Sequence, residues 1–294
     1  PGKIHHGKVC PRNGGVRVHV VEQNARDAAG EVHKIVVVLQ LVFKGGIRQR
    51  LGAVDMEFFG RAYFPHYFSR PSPEFHRELD AIWQDGVLKG LTPSTPKLVK
   101  QISRMNGCKR VVAAPRGHAK STSLTFKGTI HAVVYGYKHY PIIISDSSDQ
   151  AEGFLDNIRV EFEENEAIRE DFGDLTGKVW RSNVLVTSTN IKVEAIGSGK
   201  KIRGRKHRNW RPDLLILDDC GTEVSNTFTV SRLFQLLNER ALLRKSTIIS
   251  TNLSIREFRD VYSERIFSRI TSSYTLLKLT GSDIRIRRKI NRTL

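Results

Sequence analysis

A loop of small residues that ends in a lysine and a serine lies between two apolar stretches. Residues 114–121 read APRGHAKS, after the apolar residues 111–113 and before residues 122–134. The apolar run predicts a buried strand and residues 122–134 predict a helix, and this order is typical of a phosphate-binding P-loop. Because backbone N–H groups of such a loop point at phosphates, we expect Lys120 to reach the β- and γ-phosphates and Ser121 to bind Mg²⁺.

The loop departs from the usual pattern at two positions. Ala114 and Ala119 stand where glycine is usual, and each adds a Cβ atom where the backbone should pass close to phosphate. The alternative interpretation is a polar turn between a strand and a helix that carries an exposed lysine. The predicted nucleotide-binding residues are Ala114, Pro115, Arg116, Gly117, His118, Ala119, Lys120, Ser121 and Thr122.

A second apolar run ends in two carboxylates. Residues 211–219 read RPDLLILDD, and a continuous Leu/Ile run is typical of a central parallel strand that is buried on both faces. Acids at the carboxyl end of such a strand lie at the edge where open α/β sheets bind ligands. We therefore predict Asp218 as a Mg²⁺ ligand and Asp219 as the group that orients or deprotonates the water attacking ATP. A strand that simply ends in an acidic turn is the alternative.

Further polar residues downstream are candidates for the same site. Residues 247–252 predict another buried strand, and Asn252 at its tip is expected to sense the γ-phosphate or to hold the attacking water. Glu223 is a weaker candidate for activating that water. Arg265 and Arg269 are four residues apart and share a helix face, which would allow them to complete a neighbouring chain's active site; surface ion pairing is the alternative.

The overall charge is strongly basic. The chain has 294 residues, a formal net charge of +18 and a sequence pI of about 10.1. Such an excess favours an anionic polymer as partner, with nucleic acid as the first choice and salt-sensitive binding as the consequence. One glycine-containing basic loop is predicted to lie near the nucleotide edge and to contact DNA phosphates or a neighbour's ATP, with a solvated charge run as the alternative. Its predicted nucleic-acid-binding residues are Lys200, Lys201, Arg203, Arg205, Lys206 and Arg208.

Strands that alternate with helices predict an α/β fold, a RecA/AAA-like P-loop NTPase with a parallel sheet flanked by helices. The predicted domains are a basic segment at 1–54 with disorder as the alternative to a fold, a helical and aromatic lead-in at 55–104, the P-loop ATPase core at 105–255, and a helix with a basic strand tail at 256–294. Aromatic residues of the lead-in are expected in the core, with adenine stacking as the alternative. Three scattered cysteines suggest reduced thiols and no apolar run is long enough to span a bilayer, so we expect a cytoplasmic protein.

Roughly residues 56–219 resemble the ATPase domain of tailed-phage terminase large subunits. The resemblance rests on residues 114–121, on Ile202, Arg203 and Gly204, and on residues 211–219. That family tolerates a P-loop with an early arginine, so the resemblance implies that Arg116 lies near the phosphates. It also implies an ATP-driven motor that packages double-stranded DNA into a procapsid, in the cytoplasm of a bacterial cell or a phage-infected host. A terminase continues into an RNase H-like nuclease domain, but the residues after Asp219 do not look like one, and no nuclease activity is predicted.

Roughly residues 214–294 look instead like the C-terminal half of a bacterial replicative-helicase loader of the DnaC/DnaI type, an AAA+ ATPase. The resemblance rests on residues 217–223, 250–252 and 264–269. It implies a sensor role for Asn252 and an inter-subunit arginine motif with Arg269 as the finger. The two resemblances meet at the apolar strand and its acidic pair, which both families possess, so we interpret the chain as a hybrid.

Three functions follow from these patterns, all with ATP and Mg²⁺ as the expected cofactors. A packaging motor would act on double-stranded DNA, and a helicase loader would bind single-stranded DNA and a hexameric helicase. The third is a basic nucleic-acid-binding protein whose ATP site is inactive. An arginine acting in trans, Arg203 or Arg269, would require a homo-oligomer.

Overall fold

The computed structural model describes residues 46–69, 72–86, 109–221 and 227–278. Its centre is one eight-stranded sheet with the strand order β3-β4-β5-β2-β6-β7-β1-β8. The strands are β1 (Lys109–Ala113), β2 (Pro141–Ser145), β3 (Val179–Arg181), β4 (Val184–Val186), β5 (Lys192–Gly197), β6 (Leu214–Leu217), β7 (Ser246–Thr251) and β8 (Thr275–Lys278). Six of them are parallel, while β3 and β4 add an antiparallel hairpin beside β5.

Helices cover the sheet. They are α1 (Ile47–Val54), α2 (Met56–Tyr63), α3 (Glu74–Gly86), a π-helix (Ser121–Lys127) that continues as α4 (Gly128–Val134), α5 (Ser148–Glu164), α6 (Glu166–Phe172), α7 (Thr227–Leu242), α8 (Ile255–Val261) and α9 (Glu264–Ser273). None of the helices in the described ranges has the length and apolar character needed to cross a bilayer. A mostly parallel sheet with a P-loop after its first strand confirms the predicted fold, a P-loop NTPase of the α/β class.

The strand order decides where the chemistry-bearing residues lie. Strand β7 is inserted between β1 and β6: Val111 pairs with Ile249, which lies near Leu217 of β6 in the parallel register. Because parallel strands end at the same edge of a sheet, the segments that follow β1, β6 and β7 emerge side by side. These segments carry the P-loop, the two aspartates and Asn252.

Burial on both faces explains the continuous apolar runs. Leu214 and Ile216 of β6 pack on the face that carries α3 and the P-loop helix, whereas Leu215 and Leu217 pack on the opposite face with α7, α8 and α9. A strand covered on both sides has no solvent-facing positions, so its sequence shows no alternation. The sheet and its two helical layers form the core that fixes the site.

Several predicted elements differ in detail from the observed ones. The helix predicted for residues 122–134 begins as a π-helix before it becomes α4. The aromatic residues Phe59, Tyr63 and Phe64 of the lead-in, by contrast, are buried in the core as expected. Ser254 caps α8 in a capping box with Glu257. Of the segment predicted at 1–54, residues 1–45 lie outside the described residues, and Ile47–Val54 form α1. The basic strand tail at 284–289 and Glu223 lie outside the described residues, and the domain boundaries stay predictions.

Candidate nucleotide-binding site

The P-loop connects β1 to the π-helix through two left-handed residues. Gly117 has φ +86° and Ala119 has φ +50°, a region that costs a residue with a Cβ atom roughly 1–2 kcal/mol. The two positions lie on either side of His118. Ala119, which replaces the usual glycine, is therefore strained, but its side chain is exposed rather than crowded.

The loop is braced from outside by α3. His118 is buried, and its Nδ1 lies 3.1 Å from the Pro115 carbonyl oxygen. Nε2 of His76 contacts the His118 carbonyl oxygen at 3.1 Å, and the rings of Phe75 and His118 lie 5.2 Å apart. These contacts fix the backbone of the loop before any ligand arrives.

Lys120 brings together residues from three strand ends. Its side chain is only 6% exposed, and its Nζ atom lies 2.7 Å from Oδ1 of Asp219 and donates a 2.5 Å hydrogen bond to Oδ1 of Asn252. The other polar atom of the amide, Nδ2 of Asn252, is buried without a hydrogen-bond partner among the described residues. The lysine, the aspartate and the asparagine thus form one contiguous polar cluster at the carboxyl edge of the sheet.

Asp218 is enclosed by hydroxyl groups. Ser121 Oγ donates to Asp218 Oδ2 at 2.8 Å, Thr125 Oγ1 donates to Oδ1 at 2.7 Å, and Ser250 Oγ donates to Oδ1 at 3.1 Å. Burial raises the pKa of Asp218, and the nearby Asp219 charge adds to this effect, while the hydroxyl donors oppose it. Thr125 and Ser250 were not predicted as site residues. The sequence offers only a hydroxyl residue one helical turn after Ser121 and a hydroxyl residue near the end of a strand as signals for them.

The donor set fits a magnesium ion. Ser121 and Asp218 contribute a hydroxyl and a carboxylate in direct contact, and hard divalent cations prefer such oxygen ligands. With Thr125 behind the carboxylate, the group is oriented toward the P-loop. These residues would hold Mg²⁺ beside the phosphates, where the ion would neutralise their charge.

Asp219 begins a sharp turn after β6. Its φ is +52°, and its N–H group donates to Ser250 Oγ at 3.1 Å. The next residue, Cys220, donates its N–H to the Ser250 carbonyl oxygen at 2.8 Å. The strained turn is held by β7 and directs consecutive aspartates to different partners: Asp218 to the hydroxyl cage and Asp219 to Lys120.

Other predicted nucleotide-binding residues are less engaged. Arg116 is exposed on the loop, and Thr122 is half-buried in the first turn of the π-helix. Arg265 is exposed and Arg269 is half-buried on α9, which runs from the carboxyl edge toward the start of β8. Within the described part of the chain, no hydrogen bond or salt bridge joins either of these two arginines to the cluster around Lys120.

The predicted position of the basic loop is wrong for most of its length. The loop leaves the carboxyl edge at Ser198, whose N–H donates to the Ser145 carbonyl oxygen at the end of β2. It ends at the opposite edge at Asp213, whose N–H donates to the carbonyl oxygen of Tyr140, the residue before β2. Arg205 pairs with Glu194 in the middle of β5, and Arg208 donates to Asn190 ahead of β5. Only the beginning of the loop, with Lys200 and Lys201, therefore lies near the nucleotide edge; the rest crosses the sheet to the opposite edge.

Comparison with known structures gives low similarity throughout. Domain III of the Thermotoga maritima replication initiation protein DnaA is 16% identical, with a TM-score of 0.35, over 66% of this chain and 63% of that one. The HK97 bacteriophage large terminase is 12% identical, with a TM-score of 0.41, over 62% of this chain and 33% of that one. A putative primosome component from Streptococcus pyogenes serotype M3 is 13% identical, with a TM-score of 0.31, over 69% of this chain and 90% of that one.

The match thus spans less than two thirds of the DnaA domain and one third of the terminase. No protein-family model and no curated protein matches the chain.

Proposed function

We propose that the chain is a Mg²⁺-dependent ATPase. The observation that carries the proposal is a pair of adjacent contacts between the ends of three strands: Lys120 contacts Asp219 and Asn252, and the next residue, Ser121, contacts Asp218. A lysine, a metal-binding hydroxyl and carboxylate, a second acid and an amide are the groups that phosphoryl transfer to water requires.

The residues have distinct roles in this proposal. Lys120 exchanges its contacts with Asp219 and Asn252 for phosphate oxygens when ATP binds. The released Asp219 carboxylate then accepts a proton from the attacking water, and Asn252 donates its amide N–H to the γ-phosphate or to that water. Ser121 and Asp218 hold Mg²⁺, which supplies charge neutralisation on the phosphates.

The proposed task of the ATPase is to move DNA, as a terminase-type packaging motor. The net charge of +18 supports a polyanionic partner, and the terminase-like stretch supports duplex DNA. The second candidate is a helicase loader, which is favoured by the position of Asn252 beside Lys120 and by the arginine-bearing helix α9. This candidate would act on single-stranded DNA and bind a hexameric helicase.

Steady-state ATP hydrolysis by the purified chain tests the ATPase proposal. We expect hydrolysis that needs Mg²⁺, that falls by at least about a hundredfold in Lys120→Ala, and that persists in the matched control Lys178→Ala, an exposed lysine on the far side of β5. Equal rates in the two variants would contradict the proposal. In that case a basic DNA-binding protein with an inactive ATP site is the remaining interpretation.

The type of DNA that stimulates hydrolysis separates the two candidates. Stimulation by duplex DNA, lost in Lys120→Ala, supports the packaging motor. Stimulation by single strands alone supports the loader, and a complex with a hexameric helicase in size-exclusion chromatography would be its second sign. Each result contradicts the other candidate.

A further inference from the structure

A group of cations lies at the amino ends of the strands, opposite the nucleotide site. Lys109 and Arg110 begin β1, Arg244 precedes β7, and Arg269 lies on α9, which leads into β8. We call these four residues the amino-end cluster. Strands β7, β1 and β8 are adjacent and parallel, so their starting points lie side by side. The cluster is therefore assembled from three neighbouring elements.

Two residues of the cluster, Lys109 and Arg110, line an open, polar groove of about 350 Å³. Its lining consists of Lys109, Arg110 and residues 272–275, and it offers hydroxyl groups beside the two cations. Arg110 Nη1 donates to Thr275 Oγ1 at 3.0 Å, which holds the guanidinium group at the rim. Guanidinium, ammonium and hydroxyl groups are the donors that proteins use on phosphate oxygens.

The charges of the cluster have no carboxylate partners in the part of the chain that the structure describes. Within the described ranges, no salt bridge involves any of its four residues, whereas Arg48, Arg205 and Lys120 all have carboxylate partners. Burial lowers the pKa of Lys109, and the positive charges of Arg269 and Arg244 lower it further. Like charges gathered around one groove repel each other, and an anion bound between them would remove that repulsion.

The cluster is separate from the ATP site. Strand β1 has five residues, so its amino end lies about 15 Å from the P-loop at about 3.3 Å per residue. The basic loop also approaches this edge, since Arg203 and Arg211 line a second groove with Glu239, Leu242 and Leu243 at the end of α7. The carboxyl edge of the sheet thus carries Asp218 and Asp219 beside Lys120, whereas the amino edge carries the cluster together with Arg203 and Arg211, and Glu239 lies in the second groove.

We propose that the amino-end cluster binds the phosphate backbone of DNA, so that nucleotide and DNA occupy opposite edges of the sheet. This inference rests on the proposed DNA-dependent function for the identity of the polyanion. It assigns the contact to β1, β7 and α9 rather than to the basic loop alone. Contacts to phosphate carry no sequence preference, so the binding should be salt-sensitive and independent of base sequence.

Fluorescence anisotropy with a labelled duplex and the corresponding single strand, without nucleotide and over a range of salt concentrations, tests the assignment. The variant is Lys109→Gln/Arg244→Gln. Two lost phosphate contacts should weaken duplex binding by about tenfold or more and should reduce the slope of log K against log salt by about 1.8. The charge-preserving Lys109→Arg/Arg244→Lys should bind like the parent chain, which separates loss of charge from a damaged fold.

Two further variants locate the effect. Lys178→Gln/Arg181→Gln removes two exposed cations from the β3–β4 hairpin and should leave affinity and slope unchanged. Lys200→Gln/Lys201→Gln removes two cations from the basic loop. A slope that falls for the cluster variant, with or without a fall for the loop variant, supports the inference. A slope that falls only for the loop variant, or falls equally for the hairpin control, overturns it, as does a parent chain that binds neither DNA.

The two proposals can fail independently. The binding assay contains no ATP, so a chain without ATPase activity still reports on the amino-end cluster. Conversely, loss of the DNA contact in the cluster variant leaves the Lys120-dependent hydrolysis measured without DNA as the separate test of the ATPase. If the slope falls for both the duplex and the single strand, by about 1.8 and about 1.4 respectively, the shared backbone is the ligand. A fall with only one of them identifies the form that the cluster binds.

Discussion

At the residue scale, burial of Asp218 lowers the stability of the folded state at neutral pH, while its position beside Ser121 suits it to bind a metal ion. Asp218 is 2% exposed, and its carboxylate accepts hydrogen bonds from three hydroxyl groups but contacts no cation among the described residues. Burying a charged carboxylate without a paired cation is unfavourable, so a bound cation would stabilise it. The pKa of Asp218 is raised, so the folded state favours the protonated acid. The associated stability is present below the unfolded pKa of about 3.9 and is lost as pH rises through the folded pKa.

We therefore predict that Asp218→Asn is at least as stable as the parent chain at neutral pH while its ATP hydrolysis falls by about a hundredfold or more. Chemical denaturation at several pH values should show a smaller dependence of the unfolding free energy on pH above about pH 4. Asp156→Asn, at an exposed acid on α5, is the matched control and should keep its hydrolysis rate. A strongly destabilised Asp218→Asn would mean that the carboxylate has a structural rather than a metal-binding role.

The left-handed residues of the P-loop give a paired prediction. Ala119→Gly relieves strain of roughly 1–2 kcal/mol but adds about 0.4–1 kcal/mol of unfolded-state entropy, so we expect a small gain in unfolding free energy. Gly117→Ala places a Cβ atom at φ +86° and should cost about 1 kcal/mol or more. Urea denaturation measures both. Opposite signs are the expected result, and a neutral Gly117→Ala would show that the loop has another conformation in solution.

At the element scale, the P-loop helix is positioned by close contact with α3. A Cβ atom at Gly128 would lie 2.6–2.8 Å from ring carbons of Trp83, which is 1% exposed and has no space to move into. Gly128→Ala should therefore destabilise the fold by about 1–3 kcal/mol, in spite of the better helix propensity of alanine.

The matched control is Gly153→Ala, in the middle of α5. A Cβ atom there meets nothing within 4 Å, so the same change should stabilise by about 0.5–1 kcal/mol through helix propensity alone. The two values come from thermal or urea unfolding of the single variants. A Gly128→Ala chain as stable as Gly153→Ala would contradict the tight packing of α3 on the P-loop helix.

Local patterns were enough to predict the strands but not their neighbours. The apolar runs at 111–113, 214–217 and 247–251 became strands because their composition suits a surface buried on both faces. The insertion of β7 between β1 and β6 depends on pairing between segments far apart in the chain, for which a single sequence has no signal. Ser250 could not be predicted for the same reason, because its hydroxyl group reaches Asp218 only when β7 lies beside β6.

The predicted position of the basic loop was wrong for a related reason. Its charges are obvious in the sequence, but its path is set by backbone contacts of Ser198 and Asp213 at opposite edges of the sheet. Charge content alone gives no direction. Lys109, Arg110 and Arg244 are unremarkable in the sequence, and only the parallel register of β1, β7 and β8 gathers them.

At the scale of the whole molecule, the two resembling parts of the chain share one sheet. Strand β7 comes from the loader-like part, yet it pairs with β1 of the terminase-like part over five residues and with β6 on its other side. The polar cluster likewise combines Lys120 from one part with Asn252 from the other. Because the halves interlock at the site itself, we expect them to act as one ATPase unit, and the remaining question at this scale is what a second copy contributes.

Mixing inactive variants tests the predicted action of Arg269 in trans. Arg269 lies on the part of α9 near Lys109, at the amino ends of the strands and away from the P-loop of its own chain. If it serves a neighbour, Lys120→Ala and Arg269→Ala are each inactive, but a mixture recovers up to roughly a quarter of the parent activity, because random assembly pairs an intact Lys120 with an intact Arg269 at that share of interfaces. Lys120→Ala mixed with Asp218→Asn is the control, since both defects lie in the same site and no interface is restored. Full activity of Arg269→Ala alone, or a mixture no better than the control, would rule out Arg269 as the arginine that completes the site.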